Sequence, residues 1–393
     1  MKNIINEFGK AIIVALVIIS IIGVTAGLSI NNNSVVKSSI TNLIKGLPDS
    51  GGLNNSGGNS SGGNTSGGNS GSNVDYGKPL IVGDLSATAD DNVKFTLYDS
   101  GVGVLNGSGN AVSVSHYDAV YRYIMMHLCG YENFDEFSDW LTNNGSEAFK
   151  DQIIQTNYKF NKLIIEDEVN FPYGLTISQL PINSLEIRGN VTAPFLEITH
   201  IKDLQNINIS NSVTIESFAG FGNADYAPTI DNIDFLQNDS FKYCKGLPDG
   251  YNGCYANHDY SYLGNVVNIT IPDKFTSETF KAQNGFNSVI TKNIVFGKNF
   301  KSYSYGISSS SIETIKFKAD SFLFDYPKAG GVAPPSRKNL TDIYLPANIN
   351  ATIVPSRYLF KTNRTAIIHC PNEQVKEFVL ANGAAYPDNV VID

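Results

Sequence analysis

Basic clusters are missing from this 393-residue sequence, in which 28 lysines and arginines are outnumbered by 37 acidic residues and the net charge is −9. Nucleic-acid binding depends on grouped basic side chains that displace counterions from phosphates. The sequence therefore predicts no nucleic-acid partner. Charged residues make up only 17% of the chain, and asparagine, serine and glycine fill its turn-forming positions.

Motifs for catalysis and metal binding are also lacking. The sequence has no Walker string, no H-E-x-x-H string and no C-x-x-C pair. His127 with Cys129, and Cys254 with His258, do not have the spacing of a closed metal site. The consecutive acids of residues 166–168 do not form a hydrolase pair, because neighbouring strand residues point to opposite faces. We expect no enzyme activity, no cofactor and no metal.

Cysteine occurs only four times. Cys244 and Cys254 are the local pair, and in an extracellular chain they are the candidates for a disulfide bond. The alternative is that Cys244 is a small apolar residue of the core.

What the sequence does have is a recurring strand pattern. In NLTDIYLP, residues 339–346, Leu340, Ile343 and Leu345 fall on one side of a strand that Pro346 ends. The middle apolar position of this pattern recurs along the chain at Leu163, Leu185, Ile207, Ile233, Ile269, Ile294, Ile315, Ile343 and Ile368.

This repeat predicts a β-rich solenoid over residues 160–371. A period of about 20–29 residues with one short strand per unit is typical of leucine-rich repeats, whose units bury their apolar faces by stacking. The alternative is a β-sandwich, because a further strand-like string, FLEIT at residues 195–199, lies halfway between two repeat strands.

Three segments around these strands resemble a known family. SFKYCKGL (residues 240–247), VVNITIPDKF (266–275) and DSFLF (320–324) are similar to the repeat unit of BspA-like leucine-rich-repeat surface proteins. In addition, residues 92–110 followed by 162–169 resemble the β-hairpin module that often opens such arrays. The resemblance covers about residues 80–393.

The resemblance has implications for packing and for function. It implies that Phe241, Cys244 and Leu247 pack inside the coil behind the strand. It also implies a surface-displayed recognition protein that adheres to a protein or glycan on a host or neighbouring cell. Two alternatives remain open from the residues, namely a carbohydrate-active enzyme on a β-solenoid and a purely structural envelope or virus-encoded membrane protein.

Short helical caps are expected at both ends of the solenoid, since its open ends must be covered. In the N-terminal cap, residues 74–159, one helix follows the β-hairpin with an apolar stripe at Val120, Ile124 and Leu128, and a second ends at Gly145. The C-terminal cap, residues 372–393, begins with a helix predicted from Asn372 to Gly383.

The N-terminal 73 residues predict a tether. After a cytoplasmic segment, residues 1–10, the apolar run of residues 11–30 is long enough to span a bilayer. A juxtamembrane segment (residues 31–49) and a flexible Gly/Ser/Asn-rich linker (residues 50–73) follow. We therefore expect a single-pass protein of the cell membrane with its C-terminal body outside. The alternative is a secreted protein released by signal cleavage.

The ligand-binding prediction rests on an insertion. The longest step in the repeat, between Ile233 and Ile269, contains the tyrosine-rich residues 250–264, and insertions in solenoids form surface loops that often bind ligands. The candidate contact residues are Tyr251, Tyr255, His258, Tyr260 and Tyr262. The alternative is a self-packed loop whose tyrosines cover the core.

Overall fold

A computed structural model describes much of the chain from Val74 onward. The described residues are 74–112, 119–156, 158–222, 227–245, 263, 265–282, 290–303, 311–324, 339–351, 360 and 362–393. Apart from residues 129–132, they all belong to one compact unit.

This unit consists mainly of short strands. In chain order the strands are β1 (Pro79–Asp84), β2 (Asn92–Tyr98), β3 (Val102–Asn110), β4 (Lys162–Ile165), β5 (Glu168–Asn170), β6 (Leu175–Ser178), β7 (Ser184–Ile187), β8 (Thr192–Thr199), β9 (Asn206–Ile209), β10 (Thr214–Gly220), β11 (Thr229–Asn232), β12 (Tyr243–Cys244), β13 (Asn265–Thr270), β14 (Asn293–Phe296), β15 (Ser302–Tyr303), β16 (Thr314–Phe317), β17 (Ser321–Phe324), β18 (Asp342–Tyr344), β19 (Asn348–Ala351), β20 (Ile367–Cys370) and β21 (Val390–Ile392). The helices are α1 (Val120–Leu128), α2 (Phe134–Thr156) and α3 (Glu373–Ala381), with 3₁₀ turns at Asp234–Gln237 and Pro387–Asn389.

The strands of the predicted repeat stack in parallel as a first ladder. Leu163, Leu185 and Ile207 are paired across β4, β7 and β9. A second run pairs the corresponding positions across β13, β14, β16, β18 and β20, at Ile269, Ile294, Ile315, Ile343 and Ile368. All of these side chains except Ile207 are at most 2% exposed. The solenoid prediction is therefore confirmed, and the β-sandwich alternative is wrong.

Most coils also contain a second strand, so the expectation of one strand per unit is wrong. Strands β5, β8, β10 and β12 form a second parallel ladder, and β15, β17 and β19 form another. The FLEIT string lies in β8. The chain can turn sharply between the two ladders because Asp167 (φ 66°) and Gly189 (φ 74°) adopt the left-handed conformation at equivalent corners. The leucine-rich-repeat identity stays a prediction.

Phenylalanine rings fill the interior between the ladders. Neighbouring rings have centroids 4.5–6.4 Å apart and are mostly tilted or edge-to-face. Phe241 is 1% exposed and Cys244 is 0% exposed, while Leu247 lies outside the described residues. The rings extend the core from coil to coil.

At the N-terminal end, β2 and β3 form an antiparallel hairpin, and β3 then pairs in parallel with β4. Helix α1 buries Val120, Ile124 and Leu128 and packs against β1 and β6. The helix that begins at Phe134 is broken at Gly145, as predicted, because this residue has a non-helical φ of 78° and ψ of 168°. A further helical segment, which the sequence did not predict, follows the break and extends α2 to Thr156.

At the C-terminal end, α3 packs against β19, β20 and β21. The side chain of Asn372 caps it by accepting the N–H of Val375 at 2.9 Å. Beyond the helix the chain returns to the ladder, where β21 pairs with β20. Residues 372–393 therefore contain a strand in addition to the predicted helix.

The prediction of a single-pass membrane location with an extracellular body is corrected. Spanning a bilayer takes about 20 predominantly apolar residues, and the described residues include no helix that is both long and apolar enough. The predicted span, residues 11–30, and the neighbouring segments 1–10, 31–49 and 50–73 lie outside the described residues.

Candidate functional site

The tyrosine-rich loop predicted as a ligand contact falls outside the described residues. This applies to Tyr251, Tyr255, His258, Tyr260 and Tyr262, so their role stays a prediction. Cys254 lies in the same segment. Cys244 is buried, its N–H donates to the carbonyl of Thr279, and it forms a β-bridge with Phe280. Its predicted disulfide with Cys254 therefore also stays a prediction.

A groove lies along the second ladder, on the outward-facing side of β5, β8 and β10. Its volume is about 630 Å³, within the range typical of small-molecule sites. The described residues that line it are Asn170, Pro172, Thr192, Ala193, Pro194, Thr214, Glu216, Asp239, Ser240 and Lys242. We call it the β5–β10 groove.

Amide and hydroxyl side chains form a row that begins at Asn110, beside the groove, and continues along its lining. Asn110, Asn170, Thr192 and Thr214 are successive partners across β3, β5, β8 and β10. Asn170 donates its Nδ2 to Asn110 Oδ1 at 2.6 Å, and Thr192 Oγ1 donates to Asn170 Oδ1 at 2.5 Å. The strand spacing of about 4.8 Å therefore sets these polar groups at regular intervals.

Charged groups occupy one end of the groove. Glu216 follows Thr214 by two residues on β10 and so faces the same side. Its Oε1 lies 3.3 Å from Lys242 Nζ, with both side chains about half or more exposed. Asp239 is a second carboxylate in the lining. Exposed ion pairs contribute little to stability, so Glu216 and Lys242 can be engaged by a ligand without a large cost to the fold.

Part of the lining is apolar, with Pro172, Ala193 and Pro194. Proline offers no N–H at these positions. The groove therefore combines a small apolar surface with a row of groups that both donate and accept hydrogen bonds, which is the usual composition of a ligand site.

A second polar cluster lies on the outward side of the C-terminal strands. His369 places Nδ1 2.9 Å from Asp393 Oδ1 and Nε2 2.9 Å from Asp342 Oδ1. Its ring stacks on Tyr344 with a centroid distance of 4.2 Å, and Lys316 Nζ lies 5.6 Å from the Tyr344 ring centre. Partial burial opposes protonation of His369, but hydrogen bonds to the two carboxylates outweigh it and raise the pKa.

The raised pKa of His369 predicts a pH effect on stability. The folded state favours the imidazolium, so its stabilising contribution is complete below about pH 6.5, the ordinary pKa of histidine, and is lost as the pH rises through the raised value. We expect the parent melting temperature to fall over this window and His369→Gln to flatten that part of the profile. Thermal melts of the parent and of His369→Gln from pH 5 to 9 measure this pH dependence.

A matched control for His369→Gln is Lys318→Gln, which removes a cation 4.0 Å from Asp273 without touching the cluster. The melting temperature of this control should change with pH as that of the parent does. Equal slopes for the parent and His369→Gln would contradict the role assigned to His369.

A buried carboxyl lies apart from both surfaces. Glu197 on β8 is 4% exposed and accepts one long hydrogen bond, 3.4 Å, from Thr176 Oγ1. Its Oε1 and the hydroxyl of Ser217 have no hydrogen-bond partner among the described residues. Burial raises the pKa of Glu197 to about 7. The sequence reasoning missed this residue, although a glutamate inside the apolar string FLEIT was a visible signal.

Comparisons with known proteins do not identify a family. No family model matches the chain, and no curated protein matches it. Among solved structures, the crystal structure of the pneumococcal vaccine antigen PcpA is similar over 80% of this chain and 100% of that chain, with 9% sequence identity and a TM-score of 0.15. At this TM-score the similarity carries no argument about fold or function.

Proposed function

We propose that this β-solenoid is a recognition protein that binds a glycan, and that its role is adhesion to a host or neighbouring cell surface. The observation that carries the proposal is the β5–β10 groove, with its regular row of amide and hydroxyl groups. The adhesive role also draws on the resemblance of residues 240–247 and 266–275 to repeats of surface proteins.

The chemistry of the groove favours a glycan. Sugar hydroxyls donate and accept hydrogen bonds, and Asn170, Thr192 and Thr214 can do both in return. Glu216 accepts from hydroxyls or pairs with an amino group. The Pro172 and Pro194 side offers an apolar surface to the C–H face of a sugar ring.

The proposal predicts that removing hydroxyls from the groove weakens glycan binding. In Thr192→Val with Thr214→Val, each lost hydrogen bond costs about 1 kcal/mol, so affinity should fall about thirtyfold. Both threonines lie on the outward side of their strands, one half-buried and one exposed. The free energy of unfolding should fall only by the loss of the Thr192–Asn170 hydrogen bond, about 1 kcal/mol, so the variant stays folded. A glycan array followed by titration of the best glycan measures the effect.

The matched control is Thr314→Val, the same change on the first ladder away from the groove. It should bind as the parent does. A parent protein that binds no glycan on the array, or a double variant with parental affinity, overturns the proposal.

A glycoside hydrolase is the second candidate, because Glu216 and Asp239 line the same groove and such enzymes use a pair of carboxylates. Release of reducing ends from a glycan by the parent protein, and loss of this release in Glu216→Gln, would favour the hydrolase. Binding without release favours recognition.

A further inference from the structure

The side-chain hydrogen bonds along the row of the β5–β10 groove run in one direction. Thr192 Oγ1 donates to Asn170 Oδ1, and Asn170 Nδ2 in turn donates to Asn110 Oδ1. A hydroxyl group has a single proton, so Thr192 presents only its remaining lone pairs to a ligand while this bond is in place. The two ends of the row therefore offer different hydrogen-bonding groups.

The Asn110 end of the row offers donors. Its Oδ1 accepts from Asn170, and the two N–H groups on its Nδ2 have no partner in the described part of the chain. Asn170 has a second N–H beside them, because an amide nitrogen carries two. Both asparagines are half-buried. This end of the row therefore suits a ligand group that only accepts hydrogen bonds.

An apolar surface lies next to these donors. Pro172 follows Asn170 by two residues, is exposed, and lines the groove with it. Pro194 shares the outward face of β8 with Thr192, because alternate residues of a strand point to the same side. A ligand group that combines an acceptor oxygen with a small apolar part fits the donors and Pro172 together.

The charges around the row favour a neutral acceptor over an anion. Asp91 Oδ1 accepts the backbone N–H of Asn110 at 2.8 Å, which places a carboxylate beside the donor end. Among the described lining residues, Glu216 and Asp239 are acidic and Lys242 is basic. The carboxylate of an acidic sugar would be repelled by Asp91, whereas a carbonyl oxygen accepts the same hydrogen bonds without carrying a charge.

We infer that the ligand of the β5–β10 groove contains an N-acetylated amino sugar, with its acetamido group at the Asn110 end. The acetamido carbonyl accepts from Asn110 and Asn170, and its methyl group packs on Pro172. Hydroxyls farther along the glycan donate to Thr192 and Glu216. This preference rests on the proposed glycan-binding function and adds the kind of sugar that the groove selects.

The length of the row indicates an oligosaccharide. Asn110, Asn170, Thr192 and Thr214 are successive partners across four strands. They span three strand spacings, about 14 Å. A single sugar ring does not reach both the donor end and the carboxylate of Glu216, so trisaccharides are suitable probes.

The first experiment compares matched trisaccharides by calorimetric titration of the full-length protein. One set consists of the chitin trisaccharide, its de-N-acetylated form and the cellulose trisaccharide, which differ only in carrying an acetamido, amino or hydroxyl group. A second set has the corresponding galactose configuration. In at least one set, we expect the acetylated form to bind at least about tenfold more tightly than the hydroxyl form, which lacks the carbonyl acceptor.

Asn110→Asp should reverse this preference. Its carboxylate still accepts from Asn170 Nδ2, so the row stays connected, but both donors to the carbonyl are replaced by a negative charge. Binding of the acetylated form should weaken at least about thirtyfold, since two hydrogen bonds are lost. The hydroxyl form should change little, and the de-N-acetylated form should bind more tightly because its amino group is positively charged.

The matched control is Asn206→Asp, the same change at an exposed position of β9 outside the groove. It should bind all three forms as the parent does. Thermal melts of both variants show whether they are folded. The comparison of the three forms on the parent protein needs no variant, so it decides the preference even if Asn110→Asp does not fold.

The outcomes separate the sugar preference from glycan binding itself. Equal affinity of the parent for the three forms, or tightest binding of an acidic glycan, overturns the preference, while a loss of binding in Thr192→Val with Thr214→Val would still support a glycan site. Equal weakening of all three forms by Asn110→Asp also overturns the preference. A parent protein that binds no glycan overturns both the preference and the proposed function.

Discussion

Replacing Ile343 by aspartate is expected to unfold several coils together. Ile343 is 0% exposed and is paired with Ile315 and Ile368 on the two sides. Aspartate at this position buries a carboxylate without a partner, at a cost of several kcal/mol. Because each coil depends on its neighbours for a core, the loss should spread beyond β18. Thermal and urea unfolding curves, monitored by circular dichroism, measure the loss of stability.

The control for Ile343→Asp is Asn350→Asp on β19. It adds the same negative charge at an exposed position of the ladder formed by β15, β17 and β19, and the stability of this variant should stay close to that of the parent. If Ile343→Asp kept the parental melting curve, the inward-facing register of the first ladder would be wrong.

Replacing Glu197 by glutamine is expected to stabilise the protein at alkaline pH. Burial raises the pKa of this carboxyl from 4.5 to about 7, so the folded protein retains a proton that the unfolded chain releases. The contribution to stability is complete below about pH 4.5 and is lost as the pH rises through about 7. The difference amounts to about 3 kcal/mol, which Glu197→Gln should recover at pH 8.

The measurement is the free energy of unfolding of parent and variant between pH 4.5 and 8. The two should agree at the acidic end and diverge as the pH rises. Glu278→Gln removes the same charge from a side chain that is 84% exposed and should follow the parent throughout. Parallel curves for the parent and Glu197→Gln would contradict the assignment of a neutral buried carboxyl.

The first ladder could be predicted because its signal is local. An apolar side chain at the middle of each strand, such as Leu185 or Ile294, is needed wherever a coil faces the core, so the pattern recurs along the chain. The helix capped by Asn372 was likewise predicted from its own segment, whereas the hairpin of β2 and β3 was expected from the family resemblance of residues 92–110. These features depend on residues close together in sequence.

The second ladder was missed because its strands are irregular in length and composition. β8 has eight residues, whereas β12 has two. Such strands exist mainly because the preceding coil offers an edge to pair with, and the intrinsic preference of the segment is weak. The string FLEIT was therefore interpreted as evidence for a sandwich.

The sequence by itself determined the class of the fold, since a repeated apolar position forces neighbouring units to stack. Only the tertiary structure decided where the candidate site lies. Asn110, Asn170 and Thr192 lie far apart in the chain and become one row through pairing. The physical reason is that coil spacing depends on the packing of several segments at once, which no single segment encodes.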